Sequence, residues 1–208
     1  SQSVNCSGTI GLGENKVCII TNDDEAGTLT VIKNVVNDNG GNALPGDFTI
    51  SVAATNPSDG SFPGENLSGT TVTLDAGQYS VSETGPDGYA ESQSVNCSGT
   101  IGLGENKVCT ITNDDEQAYI IVNKTVVNDN GGIALPDDFL LTVDDSPAPD
   151  EVPVPVNPGA HIAGETELPG YTAGIFGGDC DEAGNVIVAL GQSKTCTITN
   201  DDEAGTLT

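Results

Sequence analysis

Apolar and polar residues alternate along almost the whole chain, and no stretch carries a helical period. A period of two predicts strands. Between residues 26 and 116 it places seven, at Thr28–Val36, Phe48–Ala54, Thr70–Asp75, Gln78–Thr84, Tyr89–Cys97, Gly99–Leu103 and Lys107–Asn113. Asp38-Asn-Gly-Gly41, Ala76-Gly77 and Pro86-Asp-Gly88 separate them with turn-forming residues. Seven short strands in about ninety residues predict an all-β, two-sheet sandwich of Ig-like layout.

The pattern then repeats. Residues 92–116 copy residues 1–25 with one change, Ile19 becoming Thr110, and a looser copy occupies 179–203. Thr30-Val-Ile-Lys-Asn-Val-Val-Asn-Asp-Asn-Gly-Gly41 returns as Ile121-Val-Asn-Lys-Thr-Val-Val-Asn-Asp-Asn-Gly-Gly132. Such self-similarity predicts tandem seven-stranded β-sandwich modules. Residues 26–116 and 117–203 read as two complete modules. Residues 1–25 read as the C-terminal part of a preceding module, and 204–208 as the first strand of a following one. In the second module Ser146-Pro-Ala-Pro-Asp-Glu-Val-Pro-Val-Pro-Val-Asn-Pro158 replaces the 55–69 loop and part of a strand. Its five prolines forbid a central strand, so an edge or an extended arm is expected.

Counting by twos also exposes an anomaly. Leu29, Val31 and Val35 share a strand face with Lys33, Tyr79 and Val81 share one with Glu83, and Cys109 and Ile111 share one with Asn113. The second module does the same with Lys124 beside Ile120 and Val122, Glu165 after Ala163, and Asn200 beside Cys196 and Ile198. An unpaired buried charge is costly, so each trio is expected to meet. In an apolar pocket, burial favours the neutral forms of an amine and a carboxyl. A free amine held against a carboxamide can displace ammonia and leave an isopeptide bond, because contact supplies effective molarity. The alternative is a buried Lys–Glu ion pair capped by Asn, or a lysine whose head reaches water.

At these residues the chain resembles a known family. Val31-Ile-Lys33, Gln78-Tyr-Ser-Val-Ser-Glu-Thr-Gly-Pro-Asp-Gly-Tyr89 and Thr110-Ile-Thr-Asn113 are similar to the collagen-adhesin B-type (CnaB-like) repeats, which have the prealbumin-like fold of bacterial pilins and surface-protein stalks. The resemblance covers both complete modules. It implies that Lys33, Glu83 and Asn113 form one autocatalytic cross-linking trio, and Lys124, Glu165 and Asn200 a second.

Charge narrows the function classes. The net charge is -26, carried against five lysines and no arginine. Nothing in that composition neutralises phosphates, so nucleic acid is excluded as a partner, and an anionic membrane surface repels this segment. One histidine and no recurring nucleophile–base set argue against an enzyme. His161 aligns with Tyr79 and reads as a strand-face residue. Six cysteines fall into local pairs, Cys6/Cys18, Cys97/Cys109 and Cys180/Cys196. An even count at repeated positions predicts disulfides and an oxidising, extracellular or cell-surface setting.

The excess acid invites cations. Asp38, Asn39 and Asp47 surround one Gly turn, Asp129, Asn130 and Asp138 the other, and Asp23, Asp24, Asp114 and Asp115 sit at the module junctions. Calcium takes six to eight oxygens at flexible geometry. A junction sharing calcium with the adjoining loop is expected to group Asp23 and Asp24 with Asp38, Asn39 and Asp47, and Asp114 and Asp115 with Asp129, Asn130 and Asp138. Plain turns and hydrated linkers are the alternative. Together the readings describe a building block of an extracellular filament, pilus-like fibre or surface stalk. Its partners are copies of itself head to tail, or neighbouring modules of the same chain. An adhesin module for a glycan or protein ligand is the competing class.

Overall fold

A computed structural model describes residues 1–207. The first module holds eight strands: β1 (Gly27–Val36), β2 (Thr49–Ala53), β3 (Ser61–Pro63), β4 (Thr70–Leu74), β5 (Gly77–Thr84), β6 (Tyr89–Gln93), β7 (Ser98–Ile101) and β8 (Asn106–Asp115). They form two sheets, ordered β4-β1-β8-β6 and β3-β2-β5-β7. Inward residues of both sheets alternate with exposed ones, as the period required. Leu29, Val31, Ile50, Val72, Ile101 and Ile111 are among the most deeply buried.

Three details differ from the sequence reading. A short extra strand, β3, forms in the stretch read as loop, where Ile50 pairs with Phe62 and buries that ring. The strand expected through Cys97 stops at Gln93 and turns at Val95–Cys97, where the Cys97–Cys109 disulfide ties the turn to β8. The last strand runs two residues further, because Val36 and Tyr89 continue the ladder on either side to Asp114 and Asp115.

The second module repeats the plan with β9 (Ala118–Val127), β10 (Leu140–Val143), β11 (Ser146–Pro147), β12 (Val154–Val156), β13 (Gly159–Thr166), β14 (Tyr171–Ala173), β15 (Gly177–Gly178), β16 (Asn185–Val188) and β17 (Ser193–Asp202). Its sheets are β12-β9-β17-β14, with β15 also on β17, and β11-β10-β13-β16. The proline-rich segment supplies β12 at a sheet edge, where Pro155 lies opposite Tyr119 and a missing N–H is tolerated. This module has a separate core, including Ile120, Val122, Leu141, Val188 and Ile198.

One pairing sets the direction of the whole chain. β1 and β8 are parallel neighbours, as are β9 and β17, while the other ladders are antiparallel. A chain that enters at the start of β1 therefore leaves at the far end of β8. Only Glu116 and Gln117 separate β8 from β9, so the modules follow one another end on.

Residues 1–25 form no sheet of their own. They hold a short turn at Val4–Cys6, a bridge between Gln2 and Ile20, and the Cys6–Cys18 disulfide. All three expected disulfides are present, and no cysteine is free among the described residues.

Candidate functional site: the buried lysine trios

In each module the anomalous residues converge. Lys33, on β1, is fully buried, and its Nζ stands 2.9 Å from Glu83 Oε2, which β5 brings from the opposite sheet. The same Nζ donates a hydrogen bond to Asn113 Oδ1 on β8. Lys33 lies opposite Ile111 in the parallel ladder, one turn of the pleat from Asn113, so both side chains point to the same interior face. The Phe48 ring lies beneath the ammonium, 4.0 Å from Nζ to the ring centre, and Tyr89 packs edge-on against Phe48. Burial pushes the Lys33 amine below its ordinary value, and the Glu83 carboxylate offsets only part of that.

The second module repeats the cluster with different hydrogen bonding. Lys124 Nζ is 2.5 Å from Glu165 Oε2 and 4.2 Å from the Phe139 ring centre. Asn200 Nδ2 donates to Glu165 Oε1 at 2.5 Å, and Asn200 Oδ1 is buried without a partner. Burial lowers this lysine too, against the raising effect of Glu165. Gly164 does not interrupt β13: it pairs with Thr142 and leaves Glu165 aimed inward.

Phe48 and Phe139 were not singled out from the sequence. Their recurrence was available, since Pro45-Gly-Asp-Phe48 returns as Pro136-Asp-Asp-Phe139. An ammonium over an aromatic face is attracted by the ring quadrupole, which holds the amine in place in a buried site.

The acidic residues regroup. Asp115 is buried, and its carboxylate accepts the backbone N–H groups of Asp38 (2.8 Å), Asn39 (2.9 Å) and Gly41 (2.6 Å). Asn39 Nδ2 returns a bond to Asp115 O at 2.8 Å. Asp202 does the same for Asp129, Asn130 and Gly132. Each tail aspartate thus pins the first loop of its own module. Asp114 and Asp115 therefore group with Asp38 of their own module and not with Asp129, Asn130 and Asp138 of the second, which corrects the grouping expected at that junction. The carboxylates of Asp38, Asp114 and Asp115 lie within 4.8 Å of one another, as do those of Asp129, Asp201 and Asp202. Asp23 and Asp24 are exposed and belong to neither group, while Asp47 and Asp138 accept the Leu44 and Leu135 N–H groups at 2.8 Å and cap short turns. Burial opposes ionisation of Asp115, but the three donated N–H groups and Asn39 outweigh it and hold the carboxyl below its usual range.

His161 sits on β13, where Nδ1 meets Asp144 Oδ2 at 2.6 Å and Nε2 meets Asn157 O at 2.7 Å. It is a strand-face residue, as expected, and lies outside the trio.

Fold and site define a protein of two β-sandwich modules, in each of which the first and last strands are parallel neighbours and a buried lysine, glutamate and asparagine meet. A family model for the prealbumin-like fold domain (SpaA_2) matches the chain twice, over residues 24–113 and 115–198, and the chain belongs to that family. No curated protein matches it significantly. Among solved structures, the Bacillus anthracis TIE protein superposes with a TM-score of 0.51 at 18% identity, over 86% of this chain and 34% of that one. This chain therefore spans about a third of the TIE protein, and the likeness is one of fold. The major pilin T-13 of Streptococcus pyogenes aligns at a TM-score of 0.33 and 11% identity, over 87% of this chain and 98% of the pilin. A further Streptococcus pyogenes major pilin aligns at 0.33 and 13%, over 86% and 99%.

Proposed function

We propose that this chain is a tension-bearing segment of an extracellular or cell-surface filament or stalk, with each module closed by a lysine–asparagine isopeptide bond. The carrying observation is the parallel pairing of β1 with β8 across the trio. Force on a string of modules enters at Gly27 and leaves at Asp115, which shears this ladder along its length. A covalent bond from Lys33 to Asn113 transmits the load directly and bypasses everything between them. Three disulfides suit the oxidising setting this requires.

The reaction balances within the site. Neutral Lys33 Nζ attacks the Asn113 carboxamide carbon, the new C–N bond forms, and the bond to Nδ2 breaks. Glu83 carries the proton from Nζ to the departing nitrogen, and ammonia leaves. The same steps apply to Lys124, Glu165 and Asn200. This is a single self-directed event without turnover.

Single-molecule pulling on the chain tests the reading. Without the bond, and with the Cys97–Cys109 disulfide still closing off 12 of the 80 residues that separate Lys33 from Asn113, opening of the first module would release roughly 240 Å of chain. The expected traces show no such step from either module. Steps of that size from wild-type protein would end the proposal.

Calcium is the one cofactor this reading carries, at the carboxylate groups around Asp38, Asp114 and Asp115 and around Asp129, Asp201 and Asp202. Extracellular sites of this kind bind at about 0.1–1 mM. Melting temperature is expected to rise between chelator and millimolar calcium, and coincident melting curves would remove calcium from the account.

A further inference from the structure

The joint between the modules is made by both of them. Glu116 donates its N–H to Gly88 O of the first module, and its carbonyl accepts the Gly191 N–H of the second, each at 2.9 Å. Beside this linker, Asn157 and Pro158 of the second module lie against Gly40 of the first. A Cβ at Gly40 would stand 2.7 Å from Pro158 Cδ and 3.1 Å from Asn157 Cβ. Asn157 and Pro158 cross between the two sheets, since β12 ends at Val156 and β13 begins at Gly159. Pro158 has no N–H to bond. Side chains hold this crossing from either flank. Gln117 Nε2, in the linker, donates to Val156 O at 2.8 Å, and His161 Nε2 meets Asn157 O at 2.7 Å.

The His161 ring is engaged at both nitrogens. Nδ1 meets the Asp144 carboxylate at 2.6 Å while Nε2 meets the Asn157 carbonyl, and both partners are acceptors. A neutral imidazole carries one N–H, so two acceptors at these distances call for the imidazolium. Asp144 is itself anchored: its N–H donates to Ile162 O at 2.9 Å, and its Oδ1 accepts the Ile162 N–H at 3.0 Å. Burial opposes the charge on the ring, but the bonds to Asp144 and Asn157 and the Asp144 charge outweigh it and hold the imidazole above its ordinary value of 6.5. The turn after β10 brings Asp144 and Asp145 toward this end of the module, while β12 and β16 carry no ionisable side chain. Lys194, at the start of β17, is paired with Asp179 at 3.4 Å, and Glu165, further along β13, with Lys124. Across the joint stand Asp38 in the Gly40 loop and Asp87 in the Gly88 turn. His161 is the member of this set whose side-chain type titrates near neutrality.

We propose that His161 is a proton-operated latch on the joint: the imidazolium ties Asn157 and Pro158 down against Gly40, and loss of its proton releases them. On deprotonation the remaining N–H stays on Nδ1, because a bond to a carboxylate is the stronger of the two. Nε2 then turns a lone pair toward Asn157 O, and the two repel. Asp144 is anchored and cannot follow, so the crossing gives way. The contribution of the latch is complete below the ordinary value of 6.5 and is lost as pH rises through the higher folded one. The joint is firm in mild acid and loose in alkali. In the first module Tyr79 holds the corresponding place, and its hydroxyl donates to Asn96 O at 2.8 Å, a bond without a switch near neutrality. The latch sits at the opposite end of β13 from Glu165 and works whether or not the isopeptide bond has formed.

Nuclear magnetic resonance of the full chain tests it. The His161 imidazole should titrate above 6.5, with both ring nitrogens protonated on the acid side of its midpoint. Proton cross-peaks between Gly40 and Pro158 should weaken about threefold as pH rises from about 5 to about 9, with the same midpoint as the ring. In His161→Phe they should not change over that range. Asp144→Asn removes the charge that favours the imidazolium, so it should move both the ring titration and the weakening to lower pH. If His161→Phe fails to fold, Asp144→Asn carries the test alone, because Asp144 is half exposed. An imidazole that titrates at or below 6.5 would overturn the proposal. So would Gly40–Pro158 cross-peaks that persist through the ring titration, that still weaken in folded His161→Phe, or that keep the wild-type midpoint in Asp144→Asn.

Discussion

The intact chain, with its three disulfides closed, is expected to weigh two ammonia molecules and six hydrogens less than its sequence. Glu83→Gln restores one and Glu165→Gln the other, because glutamine keeps the shape and hydrogen-bonding capacity of the site but cannot carry the proton. Loss of the bond in the first module opens a loop spanning 80 residues of separation. By the chain-entropy argument used for disulfides, that removes about 4.5 kcal/mol of stability. For a module of this size, the melting temperature should fall by roughly 20–30 °C. Lys33→Met separates bond from packing: it also restores the first module's ammonia, yet places an apolar chain where a buried ion pair stood, an exchange that is often neutral or better. Wild-type protein lighter than its sequence by the six disulfide hydrogens alone would leave only a buried ion pair over Phe48.

The second large effect is expected at Asp115. Asp115→Ala leaves the N–H groups of Asp38, Asn39 and Gly41 without their common acceptor. Unsatisfied donors of this kind cost about 1–3 kcal/mol each when water cannot replace the partner, so about 3 kcal/mol is expected at this partly solvated loop. Amide exchange at residues 38–41 should accelerate, and Asp115→Asn should restore part of the protection. The pH dependence has a definite sign. The folded carboxyl titrates below its ordinary value of 3.8, so its contribution is complete above that value and is lost as pH falls through the lower folded one. Wild type and Asp115→Ala should therefore converge in stability in strong acid and differ most near neutrality. A gap independent of pH would show that the side chain packs and does not pin.

Period-two counting reached the trio because strand geometry leaves no freedom. Once Leu29 and Val31 face inward, Lys33 follows them. The same count would have carried Cys109, Ile111 and Asn113 on to Asp115, which the structure buries. Its place in an acidic run at a junction drew the reading to calcium and away from the backbone N–H groups that the carboxylate also accepts. Those donors were not legible, because the Asp38-Asn-Gly-Gly41 loop presents its N–H groups only after β1 and β8 lie side by side. Phe48 was invisible for a similar reason. It comes from the other sheet, and only the packing of the two sheets sets its ring under Lys33.

The identical segments separate the two levels most plainly. Residues 1–25 and 92–116 differ at one position, and both close a disulfide across the same spacing. That local staple belongs to the sequence, since twelve residues and a turn bring the two cysteines together wherever the segment lies. The fate of the apolar face does not belong to it. Ile101 is 1% exposed and Ile111 is buried completely, whereas Ile10 and Ile20, their counterparts, are 64% and 60% exposed. A strand buries one face only against another sheet and pairs its edges only with neighbours. β1 on one side and β6 on the other supply these for β8, along with Lys33 for its asparagine. The alternation, the turns, the cysteine pairs and the inward parity of the trio were determined by the sequence alone. The tertiary structure decided which faces are interior, which aspartate pins which loop, and where one module seats another, because each depends on surfaces contributed by residues far apart in the chain.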